Sequence, residues 1–154
     1  MSFRYAVDQY YFDRWRPVMA YILGFIYADG NIPISSRGHY LVITNTDKII
    51  IDYIKRQLRA EHPITTLQPV WANGKPRYSL RIGNKHIYHA LMRHGVYPNK
   101  SLTVRMPLNI PRQCTGDFIR GYFDGDGCVY LYRSKGKTKR LILRKLSVIF
   151  TSGS

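Results

Sequence analysis

Acidic side chains are scarce. Nine Asp and Glu stand against 24 Lys and Arg, giving a formal charge of +15 over 154 residues. Such a field calls for a polyanion, nucleic acid before an anionic membrane. Long hydrophobic runs are missing as well. No stretch approaches about 18 consecutive apolar residues, so no membrane-spanning helix is expected. No basic amphipathic helix stands alone, and no membrane partner is expected. The N-terminus sets Arg4, Asp8, Asp13, Arg14 and Arg16 among aromatics and has no signal-peptide core, so an intracellular site is the default, cytoplasm, nucleoid or organelle. Cysteine is limited to Cys114 and Cys128, without metal-ligand spacing, and Cys128 reads as a buried free thiol. His86, His89 and His94 fall on one predicted helix, as a solvated or half-buried face rather than a zinc site. Hydrophobic residues make up 45% of the chain, enough for a packed core.

What is present is a short pattern that occurs twice. Residues 22–30 read Ile-Leu-Gly-Phe-Ile-Tyr-Ala-Asp-Gly, and residues 119–127 read Ile-Arg-Gly-Tyr-Phe-Asp-Gly-Asp-Gly. Both have glycine third, an aromatic fourth, a small residue seventh, aspartate eighth and glycine ninth. Asp29 and Asp126 are therefore matched residues in two copies of one unit.

The elements around the first copy follow from period and punctuation. Residues 1–16 form an N-terminal extension. Pro17 can open a helix, which is apolar on nearly all sides to Gly30 and so buried on nearly all sides. A hairpin is predicted from Ile32 to Ser36 and from Tyr40 to Thr44, with Ile32, Ile34, Leu41 and Ile43 facing the core. Thr46 or Asp47 caps a helix carrying Ile50, Ile51, Ile54 and Leu58. A second hairpin runs from Ile64 to Trp71 and from Arg77 to Ile82, turning at Asn73-Gly74. Asn84 caps a helix over 85–94. The order is αββαββα, an α+β unit over 17–95. Residues 96–113 read as a linker containing Pro98, Pro107 and Pro111. A second unit then opens at 114–154 with a helix to Gly127 and a hairpin, Cys128 to Arg133 and about Leu141 to Phe150. It reads as incomplete, αββ only.

Gly24 and Ala28 are four apart, as are Gly121 and Gly125, and residues so spaced share one helix face. Small residues there let two backbones approach closely. The two motif helices are expected to pack side by side, bringing Asp29 and Asp126 together. Helix C-termini already carry a negative pole, so two carboxylates there require a cation. Oxygen ligands of this kind suit Mg²⁺, and two such ions are a known arrangement for hydrolysing a phosphodiester.

The strands supply a polar surface. Arg77, Ser79 and Arg81 alternate with Tyr78, Leu80 and Ile82, and Ser35, Arg37, Tyr40 and Val42 lie opposite the first hairpin's core face. A twisted antiparallel sheet can enter the major groove of double-stranded DNA. Lys75, Tyr130, Tyr132 and Arg133 extend this candidate surface. Lys135, Lys137, Lys139 and Arg140 form a basic hairpin tip suited to phosphates.

The two motifs resemble those of the LAGLIDADG homing endonucleases, in the form in which one chain carries both halves. The match rests on Gly24, Ile26, Ala28, Asp29 and Gly30, and on Gly121, Asp124, Asp126 and Gly127. The resemblance implies a half-domain over 17–95, part of a second over 114–154, and saddle-shaped DNA-reading sheets. It implies intron-encoded, mobile-element enzymes that cut both strands of a long site using Mg²⁺. By that match Asp29 and Asp126 are metal ligands, helped by the carbonyls of Ala28 and Gly125. Asn45 occupies the position of a polar residue near the attacking water, and Ser152 is its poorly fitting counterpart. Lys48 and Lys100 are candidates for the basic residue usual near the metals. A non-cleaving nucleic-acid-binding protein of the same fold, a maturase or transcription regulator, is the alternative. A second chain or a missing C-terminal half is expected to complete the second unit, and no cleavage is expected from the monomer.

Overall fold

A computed structural model describes residues 5–69, 71–99, 105–107, 109–135 and 142–150. Its centre is helix α1 (Pro17–Asp29), with Pro17 in the first turn and every residue from Met19 to Tyr27 buried. A helix buried on all sides must be enclosed by several elements. Strands β1 (Gly30–Asn31), β2 (Tyr40–Asn45), β3 (Ile64–Leu67) and β4 (Arg77–Gly83) form an antiparallel sheet in the order β1-β2-β4-β3. Helices α2 (Lys48–Gln57) and α3 (Lys85–Arg93) cover it. Their apolar stripes, Ile51, Ile54 and Leu58, and Ile87, Ala90 and Leu91, join Leu41, Ile43, Leu80 and Ile82 in one core. Asp47 caps α2 by accepting from the Ile49 N–H at 2.8 Å, and Asn84 caps α3 by accepting from Ile87 at 3.0 Å.

Three expectations are corrected. The first hairpin is shorter than predicted: β1 ends at Asn31 and Ile34 is 80% exposed. Pro33 has no N–H for the ladder, so the chain leaves the sheet there and the alternation that placed Ile34 inside lapses. The strand predicted to reach Trp71 ends at Leu67, again just before a proline, Pro69. Cys128 is exposed, whereas Cys114 is buried. The residues before Pro17 also enter the core. Phe12 is fully buried, and the Asp8 N–H donates to the Leu58 carbonyl at 2.9 Å.

A short 3₁₀ turn (Arg112–Cys114) leads into helix α4 (Thr115–Asp126), followed by β5 (Gly127–Lys135) and β6 (Ile142–Phe150). Helix α4 lies against α1, and the contact has a two-fold pattern. A Cβ on Gly24 would lie 2.0 Å from the Phe118 carbonyl oxygen, and one on Gly121 would lie 1.9 Å from the Tyr21 carbonyl oxygen. Phe118 is the aligned counterpart of Tyr21. Each glycine thus meets the same carbonyl of the other copy, which only an axis between the helices produces. The close approach needs glycine for space, not for backbone freedom.

The same axis relates two cross-pairs that differ chemically. The Tyr21 hydroxyl donates to Asp124 Oδ2 at 2.7 Å, with the Arg120 guanidinium 4.9 Å from its ring centre. At the related place Tyr27 packs edge-on against Phe118, centroids 5.1 Å apart. Burial is the main reason the Tyr21 phenol titrates higher than usual, followed by the Asp124 bond.

Strands β5 and β6 pair antiparallel from Gly127↔Phe150 outwards. Gly30↔Ile43 is the matching pair in the first sheet, so Phe150 corresponds to Ile43 and Val148 to Leu41. Ile43 and Leu41 are buried, but Val148 is 57% and Phe150 52% exposed. Val129, Leu131, Leu146, Val148 and Phe150 share one face of the hairpin, and at its α4 end Phe150 meets the Phe123 ring at 5.0 Å.

Candidate metal and nucleic-acid site

Both motif helices end in the same way. Gly30 (φ −85°, ψ 153°) and Gly127 (φ −80°, ψ 155°) turn directly into a strand, their N–H groups bonded to the Ile26 and Phe123 carbonyls. A side chain would collide: a Cβ on Gly127 would lie 2.0 Å from the Phe123 ring. The aspartates occupy the last position of each helix, with their small neighbours in contact. A Cβ on Gly125 would lie 2.4 Å from Ala28 Cβ and 3.7 Å from Asp29 Oδ2. The Asp29 carboxylate therefore sits beside the residue that precedes Asp126.

Asn45 fixes Asp29 from the other side. It ends β2, where Nδ2 donates to Asp29 Oδ2 at 2.5 Å. Its Oδ1 accepts from the Asp47 N–H at 2.7 Å, and Asp47 in turn caps α2. The amide is thus held at both ends, linking the close of α1 to the start of α2. Asp29 is half-buried and Asp126 exposed.

Neither α1 nor α4 carries a basic residue in its last turn, whereas α2 has Lys55 and Arg56 and α3 has Arg93. Basic residues of their own last turn thus answer the negative pole of the C-terminus in α2 and α3, whereas α1 and α4 each end in an aspartate. Among the described residues no three His, Cys, Asp or Glu gather as a metal-binding group. The donors at hand are two carboxylates and main-chain carbonyls. That all-oxygen set fits Mg²⁺, which keeps several waters and takes one or two carboxylates. Lys48 instead pairs with Asp52 at 2.7 Å. Lys100 and Ser152 lie outside the described residues.

The sheet's outward face carries Tyr40, Val42 and Thr44 on β2 and Arg77, Ser79 and Arg81 on β4, by the pairs Tyr40↔Gly83, Val42↔Arg81 and Thr44↔Ser79. Thr44 and Ser79 share a hydroxyl hydrogen bond of 3.1 Å, and the Arg81 guanidinium lies 4.0 Å from the Tyr40 ring centre. Ser35 and Arg37 fall in the connection before β2, where Ser35 Oγ accepts from the Arg37 N–H at 3.1 Å. Lys75 is exposed in the connection before β4. On the hairpin, Tyr130 and Tyr132 share a face with Ser147 and Lys145, while Arg133 falls on the apolar face. Lys137, Lys139 and Arg140 lie outside the described residues, and Lys135 is placed only as the end of β5. Sequence reasoning missed Thr44, Lys145 and Ser147, and also Thr65, which pairs with Ser79 on β4. The period-2 rule could have found Thr44, but Lys145 and Ser147 required the hairpin register.

No family model matches the chain, and no curated protein matches it. Solved structures do. The meganuclease I-SmaMI bound to an uncleavable DNA aligns with 86% of this chain at 13% identity and a TM-score of 0.56. The LAGLIDADG meganuclease I-AabMI bound to uncleaved DNA aligns with 87% at 13% identity and a TM-score of 0.54. I-SmaMI with an uncleaved DNA target and calcium ions aligns with 88% at 12% identity and a TM-score of 0.53. The alignments cover 66%, 65% and 67% of those chains, so this chain spans about two thirds of their length. The chain has the LAGLIDADG meganuclease fold, an α+β architecture with antiparallel sheets.

Proposed function

We propose that the chain is the DNA-binding and metal-binding part of a site-specific double-strand DNA endonuclease that hydrolyses phosphodiesters with Mg²⁺. One observation carries the reading: two aspartates end closely packed helices, with the Asp29 carboxylate beside the residue that precedes Asp126. The DNA-bound state of the solved neighbours and the charge of +15 support a duplex DNA partner.

Asp29 and Asp126, with the carbonyls of Ala28 and Gly125, would hold the metal. Bound there, it would supply electrostatic stabilisation of the charge that develops on a scissile phosphate. The chain's own part is positioning. The glycine contacts set the spacing of the carboxylates. Asn45 locks the Asp29 rotamer and places an amide where it can orient a water. The outward face of β2 and β4 lays arginine, serine, threonine and tyrosine along the duplex. The apolar face of β5–β6 takes further polypeptide, from a second chain or a C-terminal half.

The test is selection of bound duplexes from a random pool, followed by incubation with Mg²⁺. The expected result is no cutting by the monomer, and strand cutting once a second chain or C-terminal half completes the second unit, lost in Asp29→Asn and Asp126→Asn with binding retained. Selective binding without cutting by that completed assembly, unchanged by either substitution or by added metal, would favour the non-cleaving alternative.

A further inference from the structure

An open groove of about 1250 Å³ lies at the end of the sheet away from Asp29, where β2 begins and β4 runs into α3. Arg37, His39, Tyr40, Arg81, Lys85 and His89 line it. The ion pairs among the described residues lie elsewhere or at the groove wall: Lys48 with Asp52, Arg120 with Asp117, and Arg93 with Asp13, whose other oxygen meets His86 Nε2. Among the described residues no carboxylate lies within ion-pair distance of Arg37, Arg81 or Lys85. Glu61, also nearby, accepts from the Ala6 N–H.

Two of these groups are placed to receive an anion. Lys85 opens α3, which has no acidic residue in its first turn. A cation beside a helix's positive pole is unfavourable, and an external anion relieves both. Arg81 is stacked on Tyr40, whose ring lies over Gly83: a Cβ there would meet Tyr40 Cε1 at 3.2 Å. The Tyr40 hydroxyl donates to the Arg37 carbonyl at 3.2 Å. The guanidinium plane is thus fixed while its N–H edge stays available for bidentate contact with phosphate. His39 and His89 add imidazole donors, with ring centroids 5.3 Å apart.

We propose that this groove is a phosphodiester-binding site for the backbone of duplex DNA flanking the segment read by the sheet. The proposal rests on the DNA-binding reading above. Five residue steps separate Tyr40 from Asn45, roughly 17 Å of strand, or about five base pairs outward from the paired aspartates. The site therefore extends the footprint beyond the strands onto α3.

The test compares salt dependence of binding to random-sequence duplex DNA for wild type, Arg37→Gln/Lys85→Gln, and Arg56→Gln/Arg59→Gln. The last pair lowers net charge equally at the far end of α2. Two lost phosphate contacts should reduce the log–log slope by about 1.8 in the groove variant. The control pair should change it by under about 0.5, and all three proteins should melt alike. Equal slope losses in both variants would reduce the groove to net charge and overturn the proposal. So would tighter binding of single strands than duplex, abolished by the groove variant. Wild-type protein that binds no duplex overturns the function reading as well; binding with an unchanged groove slope overturns the groove alone.

Discussion

Replacing Gly121 by alanine puts a methyl group 1.9 Å from the Tyr21 carbonyl oxygen, where ordinary contact begins near 3.4 Å. The obstacle is backbone on a buried helix, so it cannot swing aside. The helices must part by more than about 1 Å. A gap of that size forfeits a quarter to a half of the dispersion well between facing atoms. Tyr21, Phe25, Phe118 and Tyr122 meet at this contact, and each contributes about 2–3 kcal/mol by burial. Losing about a quarter of that from four side chains costs about 2–3 kcal/mol, in the range seen for overpacked cores. The opposing gain, alanine's better helix propensity, is only about 1 kcal/mol. A net loss of about 1–2 kcal/mol lowers the melting temperature by roughly 2–8 °C. Gly116→Ala is the control, since a Cβ there meets nothing within 4 Å. It should melt at or slightly above the wild type. Gly24→Ala should match Gly121→Ala, and the double variant should cost well under the sum, because one separation relieves both collisions. If Gly121→Ala melts with Gly116→Ala, or the two costs simply add, the close-approach argument is wrong.

Other outcomes are equally definite. Burial holds the phenols of Tyr11 and Tyr27 well above their usual range. Above pH ~10 the unfolded chain sheds protons that the folded chain keeps, so stability falls with rising pH by up to ~1.4 kcal/mol per unit for each. The Tyr11 hydroxyl is buried without a partner, so Tyr11→Phe should be near neutral at pH 7 and flatten that decline; urea titrations at pH 8, 10 and 11 check both. Leu41→Ala should cost about 2–5 kcal/mol and its hairpin counterpart Val148→Ala under about 0.5, because only the first empties a filled space; equal costs in denaturant melts would mean the hairpin face is covered in solution. Asn45→Ala should leave duplex affinity within about threefold while cutting the cleavage rate of the completed two-unit assembly by about 10²-fold, as expected for a displaced carboxylate. An unchanged rate would remove Asn45 from the site.

The parts legible in the sequence are those governed by short-range rules. The paired glycines foretold the helix contact because spacing four residues apart fixes a face whatever surrounds it. Asp47 and Asn84 announced their caps in the same way. Alternation placed Leu41, Ile43, Leu80 and Ile82 inside. It failed at Ile34, where Pro33 ends the ladder, and the strand predicted to reach Trp71 stops at Leu67, before Pro69. It misjudged Cys128 because burial depends on what lies over a strand, which a strand's own residues do not state. Tyr11 and Phe12 were missed as core because an irregular segment has no period to read. The Asn45–Asp29 hydrogen bond joins residues far enough apart that only the turn at Gly30 and the pairing of β1 with β2 bring them together.

The unlike cross-pairs between α1 and α4 have a consequence for kinship between copies of the chain. If α4 docked on another α4, Phe118 would twice face a carboxylate in place of Tyr27. If α1 docked on another α1, Tyr21 would twice face Tyr27 and find no Asp124 to accept its hydroxyl proton. Each helix is therefore a poorer mate for its own twin than for the other, and the two repeats are complements rather than interchangeable copies.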